Sequence, residues 1–173
     1  MTRQRSAWIL AATLLLTLPR LGTAQEGAAT KSTQRRLSGP RFGVTFLTRE
    51  MRDSIAVTFE EKVGPVVTQF GWQWERQFSN GAGGLTPVTE WVLLVGGLEQ
   101  GVFLPSLSWM VGLRSAGGAE VGVGPNLGPG GMGMVLAIGI TKTSGNINIP
   151  FNLAVVPSKE GVRVGLLAGF NSQ

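Results

Sequence analysis

At 173 residues, with 26 glycines, 14% charged residues and a mean hydropathy of +0.19, the chain is sized for one domain and its composition disfavours both a disordered polymer and an ordinary soluble globule. The formal charge of +5 includes Arg3, Arg5 and Arg20, so only +2 remains beyond the first 24 residues, and no basic stripe with interleaved aromatics marks a nucleic-acid partner. Cysteine and histidine are both absent, which excludes disulfides, thiolate chemistry and serine–histidine catalysis and removes the commonest transition-metal ligand.

Residues 1–24 read as a secretory signal peptide: Arg3 and Arg5 lead, Trp8 to Leu18 form an apolar run, and Gly22 and Ala24 supply small residues for cleavage. That run, about 11 residues, falls short of the roughly 20 that a membrane-spanning helix needs. Without cysteine there is no lipoprotein anchor. Residues 25–39 are polar, with Lys31, Arg35 and Arg36, and read as a flexible tether before a single domain over 40–173.

A first strand begins at Arg41, with Phe42, Val44 and Phe46 on one side. Thr48 to Lys62 carries two patterns. Met51, Ile55 and Phe59 fall four apart, as on one helix stripe, while Ile55, Val57 and Phe59 alternate as in a strand. The charge density and the Thr48-x-x-Met51 start favour a short amphipathic helix. Gly64-Pro65 breaks it, and a strand follows with Phe70, Trp72 and Trp74 opposite Gln69, Gln73, Glu75 and Gln77. Asn80-Gly81 and Gly83-Gly84 signal a loop. Val88 to Val95 is the next strand, with Glu90 on the polar side if Trp91, Leu93 and Val95 take the apolar one.

Phe103 to Leu113 alternates with Ser106, Ser108, Gly112 and Arg114, and Val121 and Val123 alternate with Glu120, Gly122 and Gly124. Pro125 to Gly131 reads as a turn. Three ladders close the chain. Met132, Met134, Leu136, Ile138 and Ile140 lead the first; Ile147, Ile149, Phe151, Leu153 and Val155 the second; Val162, Val164, Leu166, Ala168 and Phe170 the third. A bulge is expected at Pro150, which lacks an N–H for the ladder.

A period of two marks a strand with one apolar face. Eight such strands with short connections would leave two open edges unless the sheet closed into a barrel. The non-apolar face is small or amidic, a poor solvated exterior but a suitable filling for a narrow lumen. The fifteen bulky-side positions of the closing ladders hold no lysine or arginine. On a lipid-facing wall each would cost about 2–4 kcal/mol at mid-membrane. The expected fold is therefore all-β: an eight-stranded antiparallel up-and-down transmembrane β-barrel with one short amphipathic helix after the first strand. Trp72, Trp74, Trp91 and Trp109 are candidates for interface girdles.

The leader and eight alternating strands, over Arg41 to Phe170, resemble small bacterial outer-membrane β-barrels of the OmpA membrane-domain type. The resemblance implies export to the bacterial outer membrane, the lipid bilayer as partner, and a structural, adhesive or small-solute role without enzymatic activity. The competing expectation is a soluble periplasmic barrel enclosing an apolar ligand.

Inward-facing polar candidates are Gln69, Gln73, Glu75, Glu90, Arg114, Glu120, Asn146, Asn148, Asn152 and Arg163, expected as a lumen network in which Arg163 has an acidic partner. Such a network either fills a closed interior or guides a solute or ion, and closure is favoured at this strand number; lipids or a small solute are the partners expected besides the bilayer. Gly128-Pro129-Gly130-Gly131-Met132-Gly133 matches a dinucleotide fingerprint only formally, because a strand follows and no acid lies between Glu120 and Glu160. Asp53, Glu60 and Glu61 read as a solvated helix face. No cofactor or metal is indicated, and Glu and Ser alone show no catalytic spacing.

Overall fold

The computed structural model describes residues 37–78 and 84–172. The leader, most of the tether and the loop at 79–83 lie outside them. Eight long strands form: β1 (Gly39–Leu47), β2 (Val66–Gln77), β3 (Leu85–Gly96), β4 (Leu104–Ser115), β5 (Ala119–Gly128), β6 (Gly131–Ser144), β7 (Ile147–Ser158) and β8 (Gly161–Gly169). A two-residue β9 (Asn171–Ser172) continues the line of β8 along β7. Each strand pairs antiparallel with the next, and β1 pairs with β8, so the sheet closes on itself. This is an eight-stranded antiparallel barrel with one short helix after the first strand.

Alternation decides the two faces. Phe42, Trp72, Leu93, Leu107, Val121, Met134, Leu136, Ile138 and Leu166 are all exposed, between 42% and 58% except Leu107 at 38%. Their neighbours Arg41, Gln73, Val92, Ser106, Ser108, Val135 and Arg163 are buried. Bulky apolar groups thus cover the outside, and small, amidic and ionic groups fill the inside. The charged residues at outward strand positions, among the described residues, are Arg76 and Lys142, both near the terminal rim, where β1 begins and β9 ends. The tryptophans do not form two girdles. Trp74, Trp91 and Trp109 make one cross-strand row, with the rings of Trp91 and Trp109 6.2 Å apart.

The ambiguous segment is α1 (Arg49–Phe59). Burial separates the two readings: Met51 and Ile55 are fully enclosed, whereas Val57 is 83% exposed, so the four-residue stripe and not the alternation is used. Glu60 takes a left-handed conformation (φ 58°) and ends the helix. Met51 and Ile55 pack with Leu47, Val63, Val67, Val102 and Leu104, so α1 covers the mouth opposite the terminal rim. The loop from β3 to β4 braces that mouth: Glu99 accepts from the Thr68 backbone N–H (2.8 Å) and hydroxyl (2.6 Å).

Three details depart from expectation. Residues 37–39, assigned to the end of the expected tether, are built into the barrel, with Leu37 2% exposed. Strand β5 runs through Pro125 to Gly128, leaving Pro129-Gly130 as the turn. No bulge forms at Pro150. Partners step one for one along β6 from Ile140–Phe151 to Ser144–Ile147, and the missing donor is absorbed where pairing with β8 and β9 lapses opposite Ile149-Pro150.

Candidate functional site

The interior is the candidate site, and its polar groups fall into two sets. Toward the terminal rim, Arg114 of β4 reaches three carboxylates. Its Nη1 and Nη2 donate to Oε1 (2.5 Å) and Oε2 (2.6 Å) of Glu75, and its Nε donates to Oε2 of Glu120 (2.7 Å), which Nη2 also contacts. Glu90 lies 3.5 Å from Nη2. The fork of the guanidinium suits this bidentate grip, which a lysine could not reproduce. Gln73 donates to Glu90 (2.8 Å) and accepts from Nε of Arg41 (3.0 Å), so an amide relays the second arginine to the acidic cluster. Arg41, fully buried, is held further by the carbonyls of Leu37 (2.8 Å) and Pro40 (3.0 Å). Gln77 donates to Glu75 (3.0 Å).

Strand register explains this gathering. Glu75 sits opposite Glu90, and Arg114 opposite Glu120, at the same end of neighbouring staves. Two acids face each other only because an arginine crosses from the next strand; without it the pair would repel.

Toward the α1 mouth lies the second set. Nη2 of Arg163 donates to Oδ1 of Asn126, and Nδ2 of Asn126 donates to the hydroxyls of Ser106 and Ser108 (2.9 Å each). Among the described residues no carboxylate lies within 4.0 Å of Arg163, and its Nε is buried without a hydrogen-bond partner. The acidic partner expected for Arg163 is therefore absent: the inward glutamates sit at the other end of the barrel. Val92, Leu94 and Met110 pack with Val135 and Val156 as an apolar cluster beside these polar groups. A cavity of about 60 Å³ is lined by Arg163, Asn126, Ser106, Ser108, Thr45 and Asn152, among others.

The remaining candidates are scattered. Gln69 and Asn152 are half-buried and line the cavity. Asn148 is fully buried and accepts from the Thr143 hydroxyl (2.7 Å). Asn146 is not in the interior; it lies exposed in the turn between β6 and β7. Sequence reasoning missed Arg41, Ser106, Ser108 and Asn126 as site residues. Arg41 could have been found from its phase opposite Phe42, and the serines from theirs opposite Leu107; Asn126 was hidden by the assignment of Pro125 onward to a turn.

Glu75, Glu90 and Glu120 bring carboxylate oxygens within 4.8 Å of one another, but Arg114 occupies the space between them. A cation there would have to displace a guanidinium, so the donor set does not fit a resident metal. The Gly128–Gly133 stretch forms the tight β5–β6 turn and opens no helix, which removes the dinucleotide reading. No family model, curated protein or solved structure matches the chain.

Proposed function

We propose that this chain is a non-enzymatic bacterial outer-membrane β-barrel whose interior is filled and whose α1 mouth is covered, serving a structural or adhesive role and not a diffusion pore. The observation that carries this reading is the inverted polarity of the wall: among the described residues thirty large apolar side chains stand exposed, most of them on the barrel's outer face, while arginines and glutamates are enclosed. An apolar exterior of that extent greatly exceeds the few hundred Å² that soluble monomers tolerate in one patch. Strands of 9 to 14 residues match the roughly 9–11 that a tilted strand needs to cross hydrocarbon. Arg76 and Lys142 lie where a headgroup layer would take them. Grooves of about 620 and 790 Å³ on the wall, bordered by Phe42, Ile138 and Phe151 and by Val111, Val123 and Leu136, suit acyl chains.

Closure is supported by the filled lumen, since an eight-stranded barrel has room for little beyond its own side chains. The competing soluble barrel needs the bulky face inside to hold an apolar ligand, and that face is the outer one. The test is membrane fractionation with a gel run before and after boiling. Recovery in the outer membrane, with a band that changes mobility on heating, is expected. A detergent-free soluble monomer refutes the proposal.

A further inference from the structure

We infer that the barrel interior holds a small monovalent anion, a halide or a carboxylate no larger than acetate, at Arg163 beneath α1. Hydrogen-bond donors at this place outnumber the acceptors that they meet. Arg163 is 4% exposed, and among the described residues only its Nη2 has a hydrogen-bond acceptor, the neutral Oδ1 of Asn126. Nε is buried and unpartnered. A buried guanidinium without a counter-charge is strongly disfavoured unless something else compensates it.

The surroundings select the sign. Nδ2 of Asn126 is committed to the hydroxyls of Ser106 and Ser108, which fixes its Oδ1 toward Arg163. Each serine oxygen spends a lone pair on that amide, and neither hydroxyl has an acceptor among the described hydrogen bonds, so each keeps an O–H to donate. One cation and two hydroxyl donors around one cavity favour an anion over a cation or an apolar guest. Thr45, Gln69, Gln73 and Asn152 also line the cavity, and Asn152, whose Oδ1 has no partner, carries an amide that presents Nδ2 as well as Oδ1. The rest of the wall is apolar, with Val92, Leu94, Met110, Val135 and Val156, which disfavours a dianion beside a single positive charge. Size sets the limit. A volume of about 60 Å³, against roughly 10–15 Å³ for one water, admits an ion from chloride to acetate and nothing longer. The glutamates offer no substitute, because among the described residues none of their carboxylates lies within 4.0 Å of Arg163 and all three face Arg114.

The inference stands apart from the membrane reading; either can fail alone. The full chain in detergent micelles is unfolded at constant ionic strength in sodium bromide, chloride, formate or gluconate, and crystals grown in bromide are measured at the bromine edge. An anomalous peak beside the Arg163 guanidinium is expected. So is an unfolding equilibrium constant that falls about tenfold per tenfold rise in the binding anion above its dissociation constant, with gluconate inert. Protection by formate alone assigns a carboxylate, and protection by bromide and chloride a halide. Arg163→Gln, which can keep a bond to Asn126, should abolish the anion dependence. If that variant does not fold, the wild-type map and titration decide alone. Equal midpoints in bromide, chloride, formate and gluconate, together with no bromine peak at Arg163, overturn the inference and leave water as the occupant.

Discussion

Replacing Arg114 with methionine removes the one group that holds three enclosed carboxylates together. The side chains of Arg114, Glu75, Glu90 and Glu120 are 7%, 0%, 3% and 10% exposed, so water cannot take over the lost contacts. Breaking a buried ion pair from one side costs about 3–5 kcal/mol, chiefly because the partner is left charged and unpaired. In a chain of this length each kcal/mol moves the melting midpoint by about 2–4 °C, which gives a fall of roughly 6–20 °C. Far-UV circular dichroism in micelles, or loss of the folded band on an unboiled gel, reads this directly. The control is the triple variant Arg114→Met, Glu75→Gln, Glu120→Gln. It leaves only Glu90 and Arg41, already linked through Gln73, and should regain most of the loss. The reasoning fails if Arg114→Met costs less than about 1 kcal/mol, or if the triple variant melts no higher than the single one.

Leu136→Arg, on the outer wall of β6, should cost about 2–4 kcal/mol by urea titration in lipid vesicles; an unchanged titration would argue that this wall does not meet hydrocarbon. Gly71→Ala would place a Cβ 1.9 Å from the Leu93 carbonyl, and the overpacked ladder should lose about 1–3 kcal/mol, whereas Gly117→Ala, whose nearest neighbour is 3.9 Å away, should be neutral in the same melt. Ile55→Ala should destabilise by about 2–5 kcal/mol because the residue is fully enclosed under the helix, while Val57→Ala should leave the midpoint in place.

Much of the fold was legible because a period of two states the inward and outward sets without knowing the partner of any strand. Met134 and Leu166 outside, and Arg163 inside, followed from phase alone. Pairing was not legible. That Arg114 would collect Glu75, Glu90 and Glu120 while Arg163 faced an asparagine depends on which ends of the staves come together, and register is set by turn lengths and closure. Prolines misled twice: at Pro125 and Pro150 the ladder omits a hydrogen bond and continues, since a closed barrel has other pairings to hold the strand. Asn146 shows the limit of extending an alternation by one step into a tight turn. In α1, enclosure of Met51 and Ile55 over the mouth agrees with the helical period that the charge density had favoured over the alternation.

The account turns on which medium the outer wall touches, and the chain carries its own reporters there. Trp72, Trp74, Trp91 and Trp109 are all 42–48% exposed on that wall. In a Trp8→Phe background, refolded into vesicles, their fluorescence should be strongly quenched by lipids brominated on the acyl chains and little affected by aqueous acrylamide. Quenching by acrylamide with none from brominated lipid would contradict a membrane-embedded barrel.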